Sequence, residues 1–168
     1  MPKIVPFLWF DTQALEAAKF YVSVFKGPKS KILDVSRYGE TGPGPKGGVM
    51  VVDFQLDGQR VQALNGGPHF SFSPAFSFSI TCKTQKEIDG YWKKLLAGGG
   101  QESQCGWLTD KFGFSWQVVP EQMGKLMATK DAAKANRVMA AMMKMVKLDI
   151  AALEAAAKGG PAAKRKAA

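Results

Sequence analysis

The sequence predicts an α+β protein built from two successive β-α-β-β-β modules and closed by C-terminal helices. Three observations carry this. An apolar strand, an amphipathic helix and three further strand-like runs follow one another in the first half of the chain. The same order returns between Phe76 and Val119. After Pro120 the composition shifts to Ala and Met with helical spacing. The expected organisation is therefore a tandem domain over 1–120, with modules at about 1–66 and 74–120. A helical extension over 121–158 and a disordered basic tail over 159–168 follow it.

Each element has a local reason. Lys3 to Phe10 is an apolar strand, and Asp11 is placed to cap the helix after it. From Thr12 to Phe25 the residues Leu15, Ala18, Val22 and Phe25 recur at helical spacing, and Gly27-Pro28 stops the helix. Lys31 to Tyr38 reads as a strand. The glycine- and proline-rich stretch from Gly39 to Gly48 reads as a long mobile loop. Val49 to Leu56 and Gln59 to Leu64 flank Asp57-Gly58, a hairpin turn signal.

The second module opens after a linker that begins at Asn65-Gly-Gly-Pro68. Phe76, Phe78, Ile80 and Cys82 alternate with Ser77, Ser79 and Thr81, the pattern of a half-buried strand. Thr84 and Glu87 form a capping box. Ile88, Tyr91, Trp92, Leu95 and Leu96 make an apolar helical stripe that Gly98-Gly-Gly100 ends. Short strands near Glu102 and Trp107, a turn over Asp110–Gly113 and a strand from Phe114 to Val119 complete the module. In the extension, a helix over Asp131–Met145 buries Val138, Met142 and Met145, and Asp149 caps a last helix over Ile150–Lys158. The Met stripe reads as the face by which the extension packs on its own domain.

Composition narrows the function. The formal charge of +9 raises the question of nucleic acid. However, the cations are spread over loops, helix faces and the Lys164-Arg165-Lys166 tail, without the interleaved aromatic residues of single-strand binders. A nucleic-acid partner is not expected. No apolar run approaches the roughly 20 residues of a membrane span, and no signal-peptide pattern precedes the first strand. A cytoplasmic protein with no membrane partner is expected. Two cysteines make no disulfide framework and fit no zinc spacing. Cys82 reads as core. Cys105, at a strand start beside Gly106, is the candidate reactive thiol.

Three stretches carry a family resemblance. They are Pro6-Phe-Leu-Trp-Phe-Asp11 with Phe20-Tyr-Val-Ser-Val-Phe25, Leu56-Asp-Gly-Gln59 with Leu64-Asn-Gly-Gly-Pro68, and Cys105-Gly-Trp-Leu-Thr-Asp110 with Phe114-Ser-Trp-Gln-Val-Val-Pro120. Together they resemble the vicinal oxygen chelate superfamily of glyoxalase, bleomycin-resistance proteins and extradiol dioxygenases. They are most similar to its PhnB-like branch, often labelled 3-demethylubiquinone-9 3-methyltransferase-like. The Leu148–Glu154 segment is also similar to that branch, so the resemblance spans residues 2 to 158. It implies the glyoxalase-like fold, with curled mixed sheets around a cavity, and a homodimer that pairs free sheet edges.

The superfamily pattern also implies four metal ligands, one on each of four strands. They fall at Val5, within Gln59–Asn65, at Ser77 (or Phe76) and at Gln117. Divalent metals favour His or carboxylate ligands, and none of these positions supplies one. The one histidine, His69, lies in the linker. Asp53 reads as strand surface and Asp57 as turn. No metal and no cofactor are expected. The methyltransferase label finds no strand–GxGxxG–helix unit to support it.

What the pattern leaves is a cup. Phe7 and Trp9 are its walls, Ser77, Ser79 and Gln117 are its polar groups, and Asn65 and Cys105 complete the candidate ligand-binding set. The expected function is metal-independent binding of a small apolar or aromatic molecule. The alternatives are an enzyme with a non-standard site (a lyase, an isomerase, the labelled methyl transfer, or a thiol enzyme through Cys105) and an interaction module using the Met-rich helices.

Overall fold

The computed structural model describes residues 3–159. Of the disordered tail expected over 159–168, all but Gly159 lies outside the described residues. The chain divides into two compact units between Phe72 and Ser73.

The first unit contains β1 (Phe7–Phe10), α1 (Ala14–Val24), β2 (Lys31–Arg37), β3 (Val49–Leu56) and β4 (Gln59–Asn65). Its strands lie in the order β1-β4-β3-β2, with β1 parallel to β4 and the other pairs antiparallel. One face of this mixed sheet buries Leu8, Phe10, Val52, Phe54, Val61 and Ala63. The helix meets it with Ala14, Ala17, Ala18, Tyr21 and Val24. Three alanines on that stripe let the helix lie close, and the Tyr21 ring stacks on Phe54 at 6.3 Å.

Asp11 does not cap α1. The helix starts later, at Ala14, and its first amide donates to Asn65 Oδ1 at 2.7 Å. Register explains this. Asn65 stands opposite Phe10 at the end of the parallel pair, so its side chain reaches the helix start that follows β1. The loop expected to be mobile is tied at its base. Tyr38 N–H donates to the Gly48 carbonyl and Gly47 N–H to the Tyr38 carbonyl, both at 2.9 Å. Gly44 lies on the Tyr38 ring, where a Cβ would come within 2.2 Å of a ring carbon. Only glycine closes the loop this way.

The second unit repeats the plan with β5 (Ser77–Cys82), α2 (Gln85–Leu96), β6 (Gln101–Glu102), β7 (Trp107–Thr109) and β8 (Ser115–Pro120). The order is β5-β8-β7-β6, with β5 parallel to β8. Ile80, Cys82, Leu108, Trp116 and Val118 are buried on the face that meets Ile88, Trp92 and Leu95 of α2. Thr84 Oγ1 accepts from Glu87 N–H at 3.2 Å, and Glu87 Oε2 accepts from Lys83 N–H at 2.6 Å. The capping box thus closes one residue earlier than the motif's usual partner.

Three further helices belong to this unit: α3 (Gln122–Met127), α4 (Ala132–Met142) and α5 (Ile150–Ala157). Val138, Leu148, Leu153 and Ala157 form a buried cluster, with Met123, Leu126, Met127, Met142 and Met145 packed against it. Helix α4 ends at Met142, but Met145 still reaches the cluster. Arg137 donates to the Ala156 and Ala157 carbonyls at 3.1 Å each, satisfying the C-terminal end of α5.

Burial pushes the Cys82 thiol up to about 11, and the Glu87 carboxylate adds to the shift. The folded protein therefore keeps a proton that the unfolded chain releases at lower pH. This contribution is whole below the ordinary thiol value and is lost as pH rises through about 11. Urea midpoints are expected to fall between about pH 9 and pH 11, and to fall less steeply in Cys82→Ala. Equal slopes in the two proteins would remove Cys82 as the cause.

Candidate functional site

In each sheet, the face turned away from the helix carries most of the residues the sequence singles out; Asn65 lies on the helix side and Cys105 precedes β7. On the first sheet, register places Phe7 beside Gln62 and Trp9 beside Leu64, with Val51, Asp53 and Gln55 continuing the face across β3. Phe7 is 52% exposed. Trp9 is half-buried and committed to its own chain. Its indole N–H donates to the Gly67 carbonyl at 2.9 Å, Gly66 lies against the ring, and Phe70 meets it edge-on at 5.0 Å. Trp9 therefore anchors the linker with one side of the wall it was expected to form.

Asp53 is not strand surface. It is only 8% exposed, and Arg60 holds it through a two-pronged ion pair on this face. That hydrogen bond holds the Asp53 carboxyl below its ordinary value against the opposing effect of burial. Its sequence signal was weak, because an acid next to apolar strand residues shows no partner until the hairpin register sets Arg60 diagonally across.

Asn65 is also spent on structure. Besides serving α1, its side-chain amide donates to the Val49 carbonyl at 3.1 Å, and its main-chain carbonyl accepts from the Tyr38 hydroxyl at 2.5 Å.

On the second sheet three strands align their polar positions. One row runs Ser79, Gln117, Trp107, and the next runs Ser77, Ser115, Thr109. Gln117 Nε2 donates to Ser77 Oγ at 2.9 Å. Among the described residues Gln117 Oε1 has no donor, and the Trp107 indole N–H has no acceptor. Both residues are half-buried. Ser79 is exposed, and Ser115 is buried beneath the face. Trp107 and Thr109 are members that the sequence reading left out. The available signal was their alternation with Leu108, which places both on the face opposite the core.

Cys105 lies apart from this row. It precedes β7 with a positive φ of 57°, and its amide donates to the Met145 carbonyl at 2.8 Å. Its thiol sits 3.7 Å from the Met143 sulfur.

The residues present do not fit a divalent metal. Gln117 and Ser77 are neutral and already bonded to each other, the side chains of β4 that share the Phe7 face are Arg60, Gln62 and Leu64, and Asp53 is held by Arg60. Among the described residues no three His, Cys, Asp or Glu side chains gather where one ion could bind them. Also among the described residues, no helix is long and apolar enough to cross a membrane.

Two open four-stranded sheets, each with strand order first-fourth-third-second and a helix on one face, define the glyoxalase-like fold of the vicinal oxygen chelate superfamily. The family model for 3-demethylubiquinone-9 3-methyltransferase matches residues 2–119, and the chain belongs to that family, the PhnB family. The chain is 38% identical to the PhnB protein of Bacillus cereus, whose description carries the same methyltransferase name. The match covers 71% of this chain and 99% of that one, with a TM-score of 0.63. A Pseudomonas aeruginosa protein shares the fold at 22% identity, with 72% and 98% coverage and a TM-score of 0.58. The fosfomycin resistance protein of Mesorhizobium loti shares it at 12% identity, with 77% and 100% coverage and a TM-score of 0.53. No curated protein matches the sequence. The family match stops at residue 119, so the expected extension of the resemblance to residue 158 is not supported by it, and helices α3 to α5 lie outside the match.

Proposed function

We propose that the protein binds a small aromatic or apolar molecule bearing a carbonyl or hydroxyl group, without a metal, on the face that carries Gln117. The observation that carries the reading is the Gln117–Ser77 pair. The bond to Ser77 fixes the amide and uses one of its two protons, leaving the second to donate to a ligand carbonyl and the oxygen to accept from a ligand hydroxyl. The Ser77 hydroxyl accepts that bond and keeps its own proton to donate. Trp107, in the same row, supplies a flat apolar surface and one more N–H donor. A ring with oxygen substituents suits this set. The family name points the same way, since a demethylated ubiquinone presents ring carbonyls and a hydroxyl.

The enzymatic alternative through Cys105 has less support, because that thiol contacts Met143 and lies outside the polar row. A homodimer in the cytoplasm is part of the proposal. Each sheet ends in strands with one neighbour, β1 and β2 in the first and β5 and β6 in the second, which suits pairing between copies.

The test uses duroquinone, a fully methylated quinone with no open position for thiol addition. Its binding is followed by quenching of tryptophan fluorescence. Gln117→Leu is expected to weaken binding about ten-fold, equivalent to about 1.4 kcal/mol. Ser77→Ala is expected to weaken it less, and EDTA is expected to leave it unchanged. Undiminished binding by Gln117→Leu would overturn the assignment, and loss of binding in EDTA would overturn its metal independence.

A further inference from the structure

The first unit holds a cavity of about 480 Å³ that the reading above does not use. Its volume lies in the range of roughly 300–1,000 Å³ common for small-molecule sites. It opens where the parallel strands β1 and β4 end. The tied loop after Tyr38 forms one wall, and the Gly66–His69 linker forms the other.

The lining separates into spent and unspent groups. Tyr38 and Asn65 are spent, since the phenol donates to the Asn65 carbonyl and the Asn65 amide serves α1 and Val49. Because Asn65 already accepts the first amide of α1, that helix end is not what the cavity offers. Asp11 and His69 are exposed, and neither side chain makes a hydrogen bond among the described residues. Between them, Pro45, Pro68 and the edge of Tyr38 supply apolar surface.

Charge then decides the ligand class. The chain has 23 Lys and Arg residues, yet none lines this cavity, whose one acidic side chain is that of Asp11. An anionic ligand would meet a like charge with no cation to offset it, whereas an ammonium group would meet an opposite one. We propose that this cavity is a second ligand site, taking a small primary amine carried on an aromatic or apolar ring. The ammonium pairs with Asp11, a ring substituent or the ammonium donates to His69, and the ring rests on the prolines. This site is independent of the Gln117 reading.

The experiment titrates the full chain with tyramine and, in parallel, with 4-hydroxyphenylacetate, following backbone amides by NMR. These two probes share a ring and differ in the sign of their charge. Tyramine is expected to saturate with a Kd of about 1 mM or tighter. The shifts should centre on residues 11–12, 44–48 and 65–69, with little response to the anion. Asp11→Asn should weaken tyramine about ten-fold while leaving duroquinone binding unaltered, and its amide spectrum reports directly that the fold is kept. Equal binding of the two probes, shifts centred on Gln117, an unaffected Asp11→Asn, or no saturation by about 10 mM would each overturn the proposal. None of those results depends on whether duroquinone binds.

Discussion

Replacing Asp110 by alanine is expected to destabilise the second unit by about 3 kcal/mol or more. The carboxylate is 3% exposed and organises the turn between β7 and β8. Its Oδ1 accepts from Phe112 N–H at 2.9 Å and Phe114 N–H at 3.1 Å, and its Oδ2 accepts from the Trp116 indole at 2.8 Å. Alanine removes this acceptor from all three donors, of which the Phe114 and Trp116 bonds are buried, and losing the partner of a buried donor costs about 1–3 kcal/mol. Asparagine separates the contributions. Its oxygen can still serve the two turn amides, but its NH2 would face the Trp116 N–H, donor against donor. Asp110→Asn should therefore fall between wild type and Asp110→Ala. Urea denaturation with unchanged m-values gives the measurement. A loss below about 1 kcal/mol in the alanine variant would mean that water replaces the carboxylate.

The same residue shows where sequence reading stops. The turn itself was legible, because Asp110 and Gly113 are turn residues between two strand-like runs. The reach of Asp110 to Trp116 was not, since it crosses the turn to a side chain whose direction depends on the strand register. Other elements divide in the same way. The period-two pattern of β5 and the helical stripe of α2 placed their buried faces correctly, because burial imposes a period on the chain. Asn65, Trp9 and Arg60 have no such pattern. Each acts on a distant residue (Ala14, Gly67 and Asp53), and what brings these pairs together is the pairing of β1, β3 and β4. The candidate site was half legible for this reason. Gln117 and Ser77 stood out as polar residues in apolar strands, while the alternation of Trp107 and Thr109 with Leu108 spans only three residues, and pairing with β8 is what sets Trp107 beside Gln117.

Leu148→Ala is expected to have an effect of similar size, and it tests whether α3 to α5 are part of the folded unit or an appendage. Leu148 is 1% exposed in the cluster with Val138 and Leu153, and truncating such a leucine costs about 2–5 kcal/mol. It also packs over Gly106, whose positive φ of 85° and missing Cβ leave room for it. A Cβ there would come within 3.0 Å of Leu148 and 2.9 Å of the Val118 carbonyl.

The segment before Leu148 is joined to the sheet by backbone bonds. Cys105 and Gly106 donate to the Met145 and Val146 carbonyls at 2.8 Å each. Gln85 holds the next turn from α2, donating to the Leu148 carbonyl at 3.1 Å and accepting from Ile150 N–H at 2.9 Å, and Lys147 pairs with Asp89 at 2.5 Å. The hydrogen bond from Lys147 holds the Asp89 carboxyl below its ordinary value, so this link holds above the usual aspartate range and loosens as pH falls through it.

These ties end one residue before Trp107. Loosening Leu148 should therefore act in two places. The melting transition should move down as a single cooperative step, and duroquinone binding should weaken although Leu148 lies on the helical side of the unit. A variant that melts in two steps, with the sheet unfolding at its original midpoint, would show that the helices are a separate body. They would then contribute nothing to the Gln117 face.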